Sequence, residues 1–309
     1  MSIEFLLEKF DSSSFRSGTF FDLYVYFDGR FLKGSDARIP VWDHALLYGD
    51  GVFEGIRAFD GKIFKLVEHI DRLYNSAKCI SLENIPLTKD ELKEAVIRTV
   101  RINNLRDAHI RPIITRGAGV PGIDPRRATR PSILVLAYPF APTHGERPSR
   151  MITSTVRRKS PYSIDSRIKS LNYLDNILAK IQANAAGMDD AIMLDLSGFV
   201  AEGTGTNVFV VQEEEIFVPT TSASLQGITR ATVTELCAKL GYRVSEQNLT
   251  IGDIYTASEA FLTGTGAGIH PIAEVDGRKI GLTVPGRITK QLMIEYERFV
   301  REEHLTQVY

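Results

Sequence analysis

The feature that most constrains this chain is a break in composition at Pro139–Ser149, where proline, glycine, threonine and histidine collect. Strand-like apolar runs lie on both sides of it, so the segment reads as a linker. A length of 309 residues also exceeds the usual size of one domain. The expectation is a small N-terminal unit (1–140), a linker (141–149) and a large C-terminal unit (150–309) that share one site.

The apolar spacing predicts the elements. Leu23–Phe27 and Arg30–Leu32 read as strands joined by an Asp28-Gly29 hairpin turn. Leu66, Ile70, Leu73 and Ala77 share a helical face, as do Leu92, Val96, Thr99 and Val100. Thr88 with Glu91 makes a capping box. Ile110–Thr115 and Ser132–Tyr138 are strand-like. Beyond the linker, Met151–Val156 restarts a strand, and Leu174, Ile177, Leu178, Ile181 and Ala185 form one apolar helical face ending near Gly187. Short strands and tight turns follow, then a helix at 229–240. Residues 1–21 read as a variable leader. Strands and helices occur in runs without regular βαβ alternation, which predicts an α+β protein and not a Rossmann fold.

Composition narrows the function. A net charge of -1 gives no electrostatic case for nucleic acid or an anionic membrane. No apolar run reaches the roughly 20 residues needed to cross a bilayer. The N-terminal ten residues carry two glutamates and no basic segment before an apolar core, which argues against a signal peptide. Cys79 and Cys237 lie far apart, outside any CxxC motif, and supply neither a disulfide framework nor a zinc site. A reduced, cytoplasmic protein is expected.

Five segments carry candidate chemistry. Lys169, in Arg167-Ile-Lys-Ser-Leu-Asn-Tyr-Leu174, offers an amine among small and polar neighbours. Alone, such a lysine is a surface residue by roughly ten to one. Glu202 stands between Val-Ala and Gly-Thr-Gly, an odd setting for a surface turn. Gly227-Ile-Thr-Arg230 opens a helix, whose free N–H groups and positive dipole end suit a dianion. By itself it is equally well an ordinary turn–helix junction with Thr229 as cap. Thr263-Gly-Thr-Gly-Ala-Gly268 is a glycine-rich run, more often a turn than an anion cradle. Arg72, in Glu68-His-Ile-Asp-Arg-Leu73, lies on the polar side of a helix.

One amine, one carboxylate and two anion cradles, in that order, make a site for pyridoxal phosphate. With Asp43-His-Ala-Leu-Leu-Tyr-Gly-Asp-Gly-Val-Phe-Glu-Gly-Ile-Arg-Ala-Phe59, the ensemble resembles the branched-chain aminotransferase group of the fold type IV pyridoxal-phosphate enzymes, from about Val25 to Ile280. The resemblance implies two α+β domains, like those of the D-amino-acid aminotransferases, with the cofactor between them. Lys169 would form the Schiff base, Tyr173 bond the phenolic oxygen and Glu202 hold the pyridine nitrogen, with Asn207 orienting its loop. Arg72, Gly227, Ile228, Thr229 and Thr265 would hold the phosphate. Tyr48, Phe53 and Phe140 would line an apolar substrate pocket, Tyr48 from across a dimer interface. Thr265, Gly266 and His109 would also meet substrate, and Arg111 the distal carboxylate of glutamate, with Arg57 and Arg116 as alternatives.

The implied activity moves an amino group between L-leucine, L-isoleucine or L-valine and 2-oxoglutarate, in a homodimer or hexamer. The chain departs from the family's pattern in three places. The lysine segment is one residue short, Gln226 replaces proline, and His109 replaces the usual tyrosine. The first and last keep a D-amino-acid or (R)-amine aminotransferase open as an alternative. A lyase of the aminodeoxychorismate type is disfavoured by Phe53–Phe59.

Overall fold

The computed structural model describes residues 20–141, 144, 145 and 147–309. All but the end of the expected leader, and Pro142, Thr143 and Glu146 of the linker, lie outside the described residues.

Strands β1 (Tyr24–Phe27), β2 (Arg30–Lys33), β3 (Gly51–Phe53), β4 (Ile56–Phe59), β5 (Lys62–Phe64), β6 (Ala108–Thr115) and β7 (Ser132–Pro139) build a first sheet. The second comprises β8 (Ser149–Thr153), β9 (Asp190–Leu194), β10 (Val200–Gly203), β11 (Asn207–Gln212), β12 (Glu215–Pro219), β13 (Val244–Gln247), β14 (Glu259–Gly264), β15 (Gly268–Val275) and β16 (Arg278–Lys279). A last strand, β17 (Leu305–Gln307), crosses back to pair with β5. Among the described residues the sheets therefore hold eight and nine strands. The sequence division placed all of 150–309 in one unit; β17 departs from it, because its register on Lys62–Phe64 completes an otherwise open edge.

The first sheet packs against α2 (Leu66–Cys79) and α3 (Lys89–Ile102), which follow the short α1 (His44–Tyr48). Leu66, Ile70, Leu73, Ala77, Leu92, Val96 and Val100 all point into this core. The capping box forms in full, with Thr88 accepting from Glu91 N–H and Glu91 from Thr88 N–H. Asp28 and Gly29 take φ of 45° and 87°, the left-handed pair that a two-residue hairpin requires.

A second core joins the halves. Phe59 and Phe64 of the first sheet meet Phe209 and Phe261 of the second, beneath α5 (Ile228–Lys239) and α7 (Arg287–Glu302), which lie beyond α4 (Leu174–Ala185) and before and after α6 (Ile251–Tyr255).

Helix α4 carries the expected apolar face. Its apolar face is turned outward: Leu174 is 66% exposed, Ile177 53%, Leu178 44% and Ile181 54%. Asn176, Ala179 and Ala183 face inward instead. Small residues allow α4 to lie close on β9, and among the described residues the long aliphatic chains are left exposed.

Candidate active site

A cavity of about 340 Å³ opens between the two sheets. It is lined by Arg72, Lys169, Tyr173, Glu202, Asn207, Gly227, Ile228, Thr229, Thr265 and Gly266, with Phe53, His109 and Arg111 at one end. Residues scattered from 53 to 266 in the sequence thus share one space.

Lys169 lies in the loop before α4, and its backbone is clamped to the first half. Its carbonyl accepts from Phe53 N–H at 3.0 Å, and its N–H donates to Ser76 Oγ at 3.1 Å. Ser170 forms a bridge with Val52. Only the side chain is left to reach inward. Nζ donates to Tyr173 Oη at 3.2 Å and sits 4.7 Å from the centre of the Phe53 ring. Tyr173 is the residue that starts α4, and its ring meets Phe53 edge-on at 5.1 Å.

Glu202 is turned into the cavity by a bulge. The β9–β10 register shifts between Val200 and Glu202, a device that re-aims a side chain. One carboxylate oxygen meets Arg158 Nη2 at 2.7 Å; the other accepts from Leu225 N–H at 3.0 Å and lies 3.5 Å from Asn207 Nδ2. Asn207 also donates to the Leu225 carbonyl at 2.9 Å, which ties the start of β11 to the turn before α5. Burial pushes the Glu202 carboxyl above its ordinary range, against the pull of the Arg158 guanidinium. A carboxylate so placed is a stronger proton acceptor than a surface one.

Arg158 was not visible as a site residue. In Arg157-Arg158-Lys159 it reads as part of a solvated basic run, yet it is buried.

The start of α5 lines the cavity with Gly227, Ile228 and Thr229. Gly227 is its N-cap residue, so the amides that open the helix have no intrahelical acceptor. A Cβ on Gly227 would overlap the side-chain oxygen of Asn207, so only glycine lets the loop pass so close. Arg72 reaches over from α2 and donates to the Gln226 carbonyl at 2.7 Å. The Thr229 hydroxyl lies against the buried Tyr296 phenol, whose pKa burial pushes up to about 12. Thr206 and Thr263 also line the cavity, and their hydroxyls are buried with no hydrogen-bond partner among the described residues. The sequence reading gave neither hydroxyl a role.

The other end carries cations and rings. Arg111 lies over the Phe53 ring at 4.8 Å, and its Nη2 is 3.5 Å from His109 Nε2. Its Nε is buried and unpartnered among the described residues. Burial first, then Arg111, lowers the His109 pKa to about 4, so the ring is neutral at physiological pH.

Four expected neighbours are elsewhere. Phe140 lines an adjoining cleft of about 170 Å³ with Arg57, whose guanidinium covers the Phe140 ring at 3.5 Å. Arg116 is consumed by Asp50 and the carbonyls of Ile80 and Ser81. Tyr48 is 40% exposed and accepts from Gly122 N–H at 2.7 Å, outside the cavity of its own chain. No group of His, Cys, Asp and Glu able to hold a metal is found among the described residues.

Two sheets, a buried acid facing an amine, and a helix N-terminus closing one cavity define a transferase fold of a recognisable kind. The profile of the family described as amino-transferase class IV matches residues 51–275, and the chain belongs to that family. A Methanocaldococcus jannaschii protein provisionally named as a branched-chain-amino-acid aminotransferase is 50% identical over 274 residues, covering 88% of this chain and 95% of that one. Among solved structures, the branched-chain aminotransferase of Thermoproteus uzoniensis with norvaline superposes with a TM-score of 0.88 at 37% identity, covering 93% of this chain and 99% of the other. The T.th. branched-chain amino acid aminotransferase complexed with N-(5'-phosphopyridoxyl)-L-glutamate gives a TM-score of 0.89, also at 37% identity and with the same coverage of 93% and 99%.

Proposed function

We propose that this protein is a branched-chain-amino-acid aminotransferase that uses pyridoxal 5'-phosphate to move an amino group between L-leucine, L-isoleucine or L-valine and 2-oxoglutarate. One observation carries the reading. The Lys169 amine, 3.2 Å from the Tyr173 phenol, shares its cavity with the buried Glu202 carboxylate and with a helix N-terminus guarded by Arg72.

The donor set fits the cofactor. A primary amine stands where an aldehyde must be captured, a phenol where a ring hydroxyl must be met, and an acid where a pyridine nitrogen must stay protonated. Free amides, a guanidinium and the unpartnered Thr206 and Thr263 hydroxyls suit the polar remainder. When bound, pyridoxal phosphate supplies the carbonyl that accepts the substrate amine and the ring that takes up charge from Cα.

The chain's own residues do the rest. Lys169 would hold the cofactor through Nζ and, as a free amine, would take up the proton from substrate Cα. Tyr173 holds Nζ within reach. Glu202, backed by Arg158, keeps a proton on the ring nitrogen. The amides of Ile228 and Thr229, with Arg72 and the Thr265 hydroxyl, fix the phosphate, while Gly227 and Gly266 let backbone approach closely. Phe53 gives an apolar wall to a Leu, Ile or Val side chain, and Arg111 receives the distal carboxylate of glutamate. His109, neutral in this setting, is a hydrogen-bonding wall and not a second cation. Donor and acceptor use the site in turn, in a ping-pong cycle.

The assembly proposed is a homodimer or a higher multiple of it. The uncovered face of α4, together with exposed Trp42, Leu46 and Tyr48, supports an apolar contact between copies. Tyr48 and Phe140 belong to this reading as substrate-pocket residues, Tyr48 acting on the partner's cavity. The domain boundaries proposed are 1–140 and 150–309 about the linker 141–149, with β17 lent to the first. A cytoplasmic location is part of the proposal; among the described residues no helix is long and apolar enough to cross a membrane.

The test mixes the holoprotein separately with L-leucine, D-alanine and (R)-1-phenylethylamine, without keto acid, and follows the cofactor absorbance. Rapid conversion by L-leucine is expected. Conversion only by D-alanine or the amine would move the enzyme to the alternative substrate class, and no conversion would remove transamination. Lys169→Ala is expected to lose both turnover and the borohydride-sensitive band.

A further inference from the structure

Two residues of the recognised segments have no place in the cycle above. Glu54, in Phe53-Glu-Gly-Ile-Arg57, is fully buried, and His69, in His-Ile-Asp-Arg72, is 2% exposed. They meet each other and Arg72. Glu54 takes Arg72 side-on, Oε1 from Nε at 2.5 Å and Oε2 from Nη2 at 2.9 Å. His69 Nδ1 lies 2.8 Å from Oε2, which also accepts from Gly55 N–H at 3.2 Å. Since an ionised carboxylate only accepts, the His69 nitrogen must be the donor.

A donor count shows what this leaves. A guanidinium has five N–H donors in a fixed planar fork. Glu54 takes two and the Gln226 carbonyl takes a third, from Nη1. One N–H on each terminal nitrogen remains, and Arg72 lines the cavity beside the first turn of α5. With an N–H left on both terminal nitrogens of one plane, the guanidinium can still meet the oxygens of a phosphate. Burial favours a neutral His69 ring, so the Glu54–Arg72 pair carries no net charge. What Arg72 presents is therefore direction more than charge.

We propose that Glu54 is a positioning residue that sets the Arg72 guanidinium for a phosphate monoester at the N-terminus of α5. The inference rests on the reading that this cavity takes pyridoxal phosphate. It opposes a simpler expectation, that a carboxylate beside an anion site weakens the site by repulsion. Under that view removing Glu54's charge tightens binding; under positioning, it loosens it.

Glu54→Asp separates the two, because it keeps the charge and withdraws the carboxylate by one methylene. The full-length protein, stripped of cofactor, is titrated with pyridoxal 5'-phosphate and with pyridoxal, which lacks the phosphate. Glu54→Asp and Glu54→Gln are each expected to weaken pyridoxal phosphate about 10- to 100-fold and to change pyridoxal by less than about threefold. In an Arg72→Met background, neither is expected to add a further loss. Thermal melting of each variant reports whether it folds, and Glu54→Asp serves if Glu54→Gln does not. Unchanged or tighter pyridoxal phosphate binding overturns the proposal, as does an equal loss for pyridoxal or a full loss added to that of Arg72→Met. If Arg72→Met alone leaves pyridoxal phosphate affinity untouched, the phosphate reading of this end fails first, and that result is distinct from the others.

Discussion

Arg158 joins Glu202 to Asp175. Its Nη2 meets Glu202 Oε1 and its Nη1 meets Asp175 Oδ2, each at 2.7 Å. Asp175 lies in the first turn of α4, two residues after Tyr173. One buried guanidinium therefore ties the acid of β10 to the helix start that carries the phenol.

Removing that guanidinium strands the Glu202 carboxylate and leaves Asp175 with Lys159 alone, 3.4 Å away. Arg158→Met is expected to lower stability by about 3–5 kcal/mol, since each acid loses its buried counter-charge. Urea unfolding measures this, and a loss below about 1 kcal/mol would show the pair to be dispensable.

Glu202→Gln tests the acid itself. The substituted amide keeps the shape but cannot hold a proton on a ring nitrogen. Turnover is expected to fall about 100-fold or more, while cofactor affinity changes by a few-fold. Single-turnover kinetics beside a cofactor titration separates these quantities; equal losses in both would assign Glu202 to retention only.

Acid should destabilise the fold in a defined window. His109 and His270 are each held down to about 4, mainly by burial, whereas an unfolded histidine titrates near 6.5. Between those values the unfolded chain binds more protons, so stability is complete above about pH 6.5 and falls as pH drops toward 4. Glu54 acts in the same direction at lower pH, because Arg72 and His69 hold its pKa down despite the opposing effect of burial. Urea midpoints at pH 7.5, 6 and 5 give the slope. His109→Gln should flatten part of it, and an unchanged slope would contradict the half-buried, neutral ring.

The outward face of α4 makes a prediction about assembly. Ile177→Asp places a charge among Leu174, Leu178 and Ile181 and is expected to shift the protein from dimer toward monomer, as light scattering after gel filtration would read. A variant with unchanged mass would place the contact elsewhere.

Much of this was legible from side-chain periodicity and local chemistry. Thr88 and Glu91 close a capping box because both partners lie within one turn, and Asp28-Gly29 turns because few residues accept that backbone. Lys169 and Glu202 stood out through their neighbours. What escaped depended on distance in the sequence. Periodicity identified the apolar face of α4 but not whether its own chain covers it. Arg158 sits in a basic run that looks solvated until Glu202 and Asp175 converge on it. Glu54 was hidden among aromatics in a segment read for its pocket, and its partners Arg72 and His69 lie on the next helix. Tyr48 and Phe140 were expected at the cavity, yet within a single chain neither reaches it.

The return of β17 to the first sheet bears on how the protein is made. Leu305–Gln307 pair with Lys62–Phe64, Val308 N–H donates to Gly61, and Arg101 Nε donates to the Val308 carbonyl. On the ribosome, β5 emerges before the whole second sheet and its outer partner after it, so the edge stays open while that sheet is synthesised. The first half cannot reach its finished form alone, and a chain stopped before Leu305 would carry its defect near residue 63, far from the cut in sequence.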